Sequence, residues 1–192
     1  MNTNNQETNL VTKEAIETAL LQLLDQQSIE TISITELTQY AGVSRMAYYR
    51  NYDSIQDIFR NILDRYFNQI LAHDSQLLVE EYRSQFWAYL FQFIYDQRET
   101  MSLIFKPAHH AMILTYLNQR LQPHHHSARE FYTGRAMIGL FFNVLQEWVA
   151  QDFDLSVEEL SNLCDDLTNP STELPLSLVN SYQADIPEER QD

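Results

Sequence analysis

Apolar side chains recur with the period of an α-helix along most of the chain, first at Ile16, Leu20 and Leu23 in a helix that begins near Thr12. Little in the pattern alternates with the period of a strand. The same helical spacing predicts further helices over residues 55–74, 82–98, 109–121, 128–151 and 157–167. The pattern therefore predicts an all-α protein.

Polar residues mark the ends of two shorter helices between residues 33 and 52. Ser33 and Glu36 have the spacing of a capping box, which predicts a helix through Ile34, Leu37 and Tyr40. Gly42 ends that helix, and Ser44 caps a second one that continues to about residue 52. Two short helices joined by a tight glycine turn are typical of a helix-turn-helix, although a plain helical hairpin has the same pattern.

One further set of residues makes the helix-turn-helix interpretation more specific. In order along the chain they are Ser33, Leu37, Ala41-Gly42-Val43-Ser44, Tyr49, Tyr52 and Ile58. Their order and spacing resemble the N-terminal DNA-binding domain of the TetR family of transcriptional regulators, over residues 12–67. The resemblance implies a homodimeric regulator, most often a repressor, that binds a near-palindromic operator and is released by a small-molecule effector.

The resemblance also implies which residues contact double-stranded DNA. They are Ser33, Thr35, Ser44, Arg45, Met46, Ala47, Tyr49, Arg50 and Asn51. Arginine binds guanine or phosphate, Tyr49 and Asn51 can donate to phosphate, and the apolar Met46 suits a thymine methyl group. Core packing is the alternative role for Met46 and Tyr49. Val43 and Tyr48 are expected to face the core of the three helices.

Ile55 departs from the family pattern, which usually has a lysine at this position. Asp53 and Asp57 flank it. Each lost phosphate contact lowers the affinity and reduces the salt dependence by about one unit. We expect DNA binding that is weaker, more salt-sensitive or more narrowly specific than usual. The alternative is that DNA binding is lost and the protein acts through a protein partner.

The net charge of −15 is unevenly distributed along the chain. Eleven of the 27 acidic residues lie in residues 152–192, together with a single basic residue. The stretch from Ser44 to Tyr52 instead has Arg45, Arg50 and no acid, so a small basic island interrupts a mildly acidic chain.

Composition and periodicity together predict four segments. Residues 1–11 are polar and are expected to be a disordered start, and residues 12–54 form the helix-turn-helix domain. Residues 55–168 form a helical domain for effector binding and dimerisation. Residues 169–192 are rich in Ser, Pro, Glu and Asp and are expected to be an acidic disordered tail.

Aromatic side chains concentrate in the C-terminal half. They can line a cavity for an apolar or aromatic effector, as the resemblance implies, or they can simply form the core. The expected lining residues are Phe86, Trp87, Phe91, Phe105, His109, Met112 and Phe141.

The helix over residues 134–151 is apolar on almost every side and therefore needs to be covered on every side, which indicates a homodimer. The C-terminal part also loosely resembles a TetR subgroup that includes dihydroxyacetone-kinase regulators, and in the family the last two helices form the dimer interface. The expected interface residues are Gly139, Phe142, Leu145, Trp148, Leu160 and Leu163.

Several function classes find no support in the sequence. Three scattered glycines cannot form a phosphate-binding loop, and the single Cys164 cannot form an intrachain disulfide. His109, His110 and residues 124–126 lack the arrangement of a metal site. We therefore expect no metal, no cofactor and no catalytic residues, and a helical enzyme is the third and weakest hypothesis. The absence of a signal peptide and of a long apolar run predicts a cytoplasmic protein with no membrane contact.

Overall fold

The computed structural model describes residues 3–73, 83–120 and 127–169. Within these ranges there are nine α-helices, one 3₁₀ turn and no strand, so the all-α prediction is confirmed. The helices are α1 (Thr3–Gln26), α2 (Ile34–Tyr40), α3 (Arg45–Tyr49), α4 (Ile55–His73), α5 (Arg83–Asp96), α6 (Arg98–Ile104), α7 (His110–Arg120), α8 (Ala128–Ala150) and α9 (Val157–Thr168). None of them is long and apolar enough to cross a membrane.

Serine side chains cap the start of five helices, and at α4 the Ser54 hydroxyl accepts a hydrogen bond of 3.1 Å from the amide of Asp57. Ser33, Ser127 and Ser156 each form a complete capping box with the glutamate three residues later, and Ser44 accepts a hydrogen bond of 3.1 Å from the amide of Ala47. Each such cap stabilises its helix by about 1 kcal/mol. Gly42 has a φ of +66°, the left-handed conformation expected between α2 and α3. The capping predicted from the serine spacing is confirmed.

Two expected boundaries differ from the structure. α1 begins at Thr3, so the expected disordered start is corrected for residues 3–11. A helix that is nucleated by a packed apolar stripe extends through polar residues at little further cost. α3 ends at Tyr49 instead of about residue 52. The predicted acidic tail lies outside the described residues from position 170 onward.

The first four helices pack around a small apolar core. Leu20 and Leu24 of α1 meet Leu37 of α2 and Ile58 of α4, and all four are buried. Tyr48 of α3 is buried among them, and the half-buried Val43 packs against the same core, as expected. Because the buried Tyr48 side chain holds one side of α3 against the core, the opposite side of this helix faces solvent.

The other five helices extend the same core toward the C-terminus. α5 lies along α9, where Ser84 and Trp87 donate hydrogen bonds to Asp165 and Thr168. α8 packs against α6 and α7. The indole of Trp148 donates a 2.9 Å hydrogen bond to the carbonyl of Leu155. These contacts close the turn between α8 and α9.

A lysine connects the two halves of the molecule. Lys106 lies between α6 and the 3₁₀ turn Pro107–His109, and its ammonium donates to the carbonyls of Leu24 and Asp25 at 3.1 and 2.9 Å. It also pairs with the Asp25 carboxylate at 3.1 Å. The carbonyls at a helix C-terminus lack partners within the helix, and a cation there is favourable. Lys106 therefore caps α1 from a distant part of the chain.

Candidate nucleic-acid interface and effector cavity

The outer side of α3 combines cations with exposed apolar and aromatic groups. Arg45 and Arg50 are exposed, Met46 is 70% exposed and Tyr49 is 56% exposed. The core-packing alternative for Met46 and Tyr49 is therefore wrong. An exposed methionine beside a tyrosine and two arginines matches the chemistry that reads base edges and phosphates. We call Arg45, Met46, Tyr49 and Arg50 the recognition surface.

Other predicted contact residues have their side chains engaged within the chain. The hydroxyls of Ser33 and Ser44 accept capping hydrogen bonds from backbone amides. The side-chain amide of Asn51 donates to the carbonyl of Ala47 at 2.8 Å, and Ala47 is only half exposed. Thr35 is exposed in the first turn of α2. The serines and Asn51 therefore position the helices, whereas the Thr35 side chain is exposed to solvent.

Tyr40, the last residue of α2, is 51% exposed. In a seven-residue helix with Leu37 fully buried, a residue three positions later points about 60° away from the buried direction. The spacing in the sequence already indicated this exposure. Ile34, Leu37 and Tyr40 are three residues apart each time, whereas the buried stripe of an α-helix combines three-residue and four-residue steps. Sequence analysis missed Tyr40 as an exposed aromatic group.

Acidic side chains surround the end of α3. Burial is the main cause that raises the pKa of Tyr48 to about 12, and the nearby Tyr49, Asp57 and Asp53 add to it. Ile55 is 7% exposed and belongs to the core at the start of α4. The position where the TetR pattern has a lysine thus holds a packed apolar side chain between two carboxylates.

A buried polar network holds the segment after α3. The Tyr52 hydroxyl donates a 3.0 Å hydrogen bond to one oxygen of Glu17, and the Arg65 guanidinium pairs with the other oxygen. Glu17 is 8% exposed, and burial together with its carboxylate raises the pKa of Tyr52. α1, α4 and the segment after α3 are therefore joined at one carboxylate.

An apolar cavity of about 490 Å³ lies among α4, α5, α6, α7 and α8. Four of the expected residues line it, namely Phe86, Trp87, Phe105 and Phe141. The further lining residues are Leu63, Tyr66, Phe67, Ile70, Leu90, Ile94, Met101, Ile104, Ile113, Tyr116, Leu117, Arg120, Met137, Ile138 and Leu145. The volume falls within the range of pockets that hold small molecules.

Three expected lining residues lie elsewhere, which corrects the prediction for them. Phe91 is fully buried, where it stacks on Trp87 with ring centres 5.9 Å apart. His109 is buried against Phe59 of α4 and bonds the carbonyl of Ile104 through Nδ1 at 3.1 Å. Met112 is half-buried outside the cavity wall. Aromatic residues close in sequence point to different sides of a helix, so composition alone could not separate lining from core.

A polar cluster at the cavity was missed by sequence analysis. The Tyr116 hydroxyl donates a 2.8 Å hydrogen bond to Asp64 of α4 and accepts one of 3.1 Å from Nε of Arg120. The Arg120 guanidinium also pairs with the Asp64 carboxylate. Burial is the main cause that raises the pKa of Tyr116 to about 12, and the hydrogen bond to Asp64 adds to it. Only the four-residue spacing of Tyr116 and Arg120 was visible in the sequence.

Comparison with known proteins identifies solved structures with a similar fold. The sequence matches no known family profile and no curated protein sequence. The dihydroxyacetone kinase operon activator DhaS has a similar structure, with a TM-score of 0.53 and 15% identity over 82% of this chain and 94% of its own. The fatty acid degradation regulator FadR from Bacillus halodurans aligns with a TM-score of 0.55 and 13% identity, over 84% and 97% of the two chains.

The chain has the fold of these helical regulators. The prediction of an N-terminal helix-turn-helix followed by a C-terminal helical domain is confirmed at the level of the fold.

Within this regulator fold, most of the expected dimer-interface residues lie inside the single chain. Phe142, Leu145, Trp148 and Leu160 are at most 5% exposed, so their prediction as interface residues is corrected. α8 is covered on one side by helices of its own chain, which the apolar pattern could not distinguish from cover by a second subunit. Leu163 is 43% exposed, and a Cβ added at Gly139 would meet no atom within 4 Å.

The described residues hold no group of three metal-ligating side chains. His110 bonds the carbonyl of Phe105 at 2.8 Å, and residues 124–126 lie outside the described part of the chain. Cys164 is fully buried, and burial raises its pKa to about 11, which disfavours the reactive thiolate.

Proposed function

We propose that the protein is a cytoplasmic member of the TetR family that binds duplex DNA and regulates transcription, most simply as a repressor. The observation that carries this proposal is the recognition surface, which exposes two arginines, a methionine and a tyrosine on one side of α3. The regulator fold supports it, since the names of both structural neighbours describe regulators of gene function. No enzyme activity is proposed.

Each member of the recognition surface has a role in this proposal. Arg45 and Arg50 bind guanine edges or phosphates, Met46 contacts a thymine methyl group and Tyr49 donates to a phosphate. Thr35 contributes from α2. Ser33, Ser44 and Asn51 act through helix geometry, because their side chains are held by hydrogen bonds within the chain.

The proposed active species is a homodimer. Two recognition helices then meet half-sites about 34–36 Å apart, which requires a near-palindromic operator. The outward side of α8 and α9 is the proposed contact, with Gly139, Leu163 and the 73% exposed Tyr132. An open glycine allows the backbones of two helices to approach closely.

The cavity is the proposed site of a small apolar effector. Leu63, Tyr66 and Phe67 of α4 line it, and α4 directly follows the recognition helix. α6 lines it through Met101 and Ile104 and leads into Lys106, which caps α1. A ligand that changes the packing of α4 or α6 therefore changes the position of the DNA-reading helices.

Selection of bound duplexes from a random DNA pool tests the proposal. We expect a two-fold symmetric site, bound more weakly as salt rises in anisotropy titrations. Arg45→Ala with Arg50→Ala removes binding, whereas Arg60→Ala, an exposed arginine on α4, serves as the matched control. An unenriched pool from folded protein at low salt contradicts the DNA-binding proposal.

A second candidate function follows from the acidic surroundings of α3. Ile55 is buried where a lysine is usual in the family, and Asp53 and Asp57 lie beside the recognition helix. A protein of this kind that had lost DNA binding would act through a protein partner. The same DNA selection separates the two candidates. If the protein acts through a protein partner, replacement of Arg45 and Arg50 has no effect on its function.

A further inference from the structure

The wall of the cavity carries a single charged side chain among the described lining residues. Arg120 lies at the end of α7, and the other lining residues are apolar or aromatic. Its side chain is 36% exposed, so this part of the cavity wall is in contact with solvent, and we call it the mouth of the cavity. A ligand that fills the cavity therefore meets apolar surface along its length and a cation at one end.

The Arg120 guanidinium is held in place but not saturated. Its central carbon lies 4.8 Å from the centre of the Phe67 ring and 5.3 Å from that of Tyr116, within cation–π distance. It donates to the Tyr116 hydroxyl and to Asp64. A guanidinium has five N–H donors, so donors remain for a further acceptor at the mouth.

We propose that the effector is an amphipathic anion whose apolar body fills the cavity and whose carboxylate pairs with Arg120. This inference rests on the effector role proposed above for the same cavity. A planar guanidinium binds a carboxylate through two parallel hydrogen bonds, which fixes the orientation of the ligand. The lining residues Phe86 and Ile94 of α5 are separated by about 12 Å of helix, so the cavity accepts an elongated body.

The position of Asp64 argues against a cationic ligand. Its carboxylate pairs with Arg120 and does not line the cavity, so no described lining residue offers an anion to a ligand cation. A ligand cation at the mouth is repelled by the guanidinium. Asp64 instead competes with the ligand carboxylate for Arg120.

This competition joins the ligand to α4. Asp64 is on α4 and Arg120 is on α7, so a carboxylate that binds Arg120 weakens the ion pair between the two helices. The apolar body of the same ligand packs against Leu63 and Phe67 of α4. Both contacts act on the helix that follows the recognition surface.

Displacement of a neutral fluorescent probe, N-phenyl-1-naphthylamine, from the purified full-length protein tests the inference. The competitors decanoate, 1-decanol and decyltrimethylammonium have the same chain length and differ in charge. We expect decanoate to displace the probe at about tenfold lower concentration than decanol, equivalent to about 1.4 kcal/mol. Decyltrimethylammonium is expected to be the weakest of the three.

Two variants assign the preference to Arg120. Arg120→Gln is expected to remove the tenfold advantage of decanoate and to leave decanol unchanged, whereas the control Arg60→Gln retains the advantage. Asp64→Asn removes the competing carboxylate and is expected to strengthen decanoate binding about threefold. Opposite effects of Arg120→Gln and Asp64→Asn cannot both arise from lost stability.

Four results overturn the inference. Equal binding of decanoate and decanol, or an advantage that survives Arg120→Gln, removes the role of Arg120 and leaves the proposed effector cavity intact. Preferential binding of decyltrimethylammonium would show that the mouth of the cavity favours a cationic ligand over an anionic one. Failure of the probe and every competitor to bind overturns the effector cavity as well, whereas the DNA selection described above tests the regulator proposal separately.

Discussion

The hydroxyl of Tyr52 donates a 3.0 Å hydrogen bond to the carboxylate of Glu17, which lies 35 positions earlier in the chain. Arg65 pairs with the second oxygen of the same carboxylate. Glu17 is thus a buried charge with one neutral and one cationic partner, and its desolvation is offset only while both remain. The bond also fixes the loop between the recognition helix and α4.

Tyr52→Phe is expected to lower the free energy of unfolding by about 1–2 kcal/mol, because the Glu17 carboxylate keeps only Arg65 as a partner. Urea titration measures the change. Tyr40→Phe is the matched control, since the Tyr40 ring is 51% exposed and its hydroxyl has no buried partner to lose. Equal stability of the two variants would show that the Tyr52 bond contributes nothing.

Tyrosine ionisation is expected to destabilise the protein at alkaline pH. Tyr48 and Tyr116 have pKa values raised to about 12 from an ordinary value of 10.0, chiefly by burial. The unfolded chain therefore loses these protons first, so their contribution is complete below about pH 10 and is lost as the pH rises toward 12.

The urea concentration at the midpoint of unfolding, measured from about pH 8 to pH 11, is expected to fall as this contribution is lost. Tyr116→Phe removes one of the tyrosines whose pKa is raised and is expected to make the alkaline decline shallower. An unchanged decline in this variant contradicts the assignment to Tyr116.

Asp53→Asn is expected to strengthen DNA binding about two- to fivefold at low salt. Asp53 is exposed beside the recognition surface, where its carboxylate repels the phosphates of DNA. Asp154→Asn changes the net charge equally at an exposed site outside the recognition surface and is the control. Anisotropy titration at two salt concentrations compares them. If both variants bind like the unaltered protein, the carboxylate lies too far from the DNA to matter.

Leu163→Glu is expected to shift the protein from dimer to monomer in sedimentation velocity without loss of helical structure. Leu163 is 43% exposed on α9, so the change is tolerated in one chain but introduces a charge at the proposed contact between subunits. Val11→Glu alters an apolar side chain of α1 that is 64% exposed and is expected to leave the dimer intact. A dimeric Leu163→Glu protein would remove α9 from the proposed interface.

The local features of the fold were predictable from sequence because each depends on a few neighbouring residues. The capping boxes at Ser33 and Ser156 need only a serine and a glutamate three positions apart, and Gly42 needs only its freedom at positive φ. The recognition surface was predictable for the same reason, since α3 is short and Tyr48 fixes its inner side.

Features that depend on distant contacts were not predictable. The helical period shows that α8 has several apolar sides, but Phe142 and Trp148 are buried by helices of the same chain and not by a partner. Likewise, Asp64 and Arg120 are 56 positions apart, and only the packing of α4 against α7 brings them to one cavity mouth. Periodicity gives the direction of a side chain within its own helix and not the identity of its neighbour.

The cap that Lys106 provides on α1 is lost when the chain is truncated after α4. The ammonium that satisfies the carbonyls of Leu24 and Asp25 belongs to Lys106, about 80 positions later in sequence. A fragment that ends after α4, at residue 73, keeps the whole recognition surface but exposes the last turn of α1 to water and loses this donor. The N-terminal helices therefore depend on the C-terminal helices for part of their own stability, and the two parts cannot be separated into modules without loss.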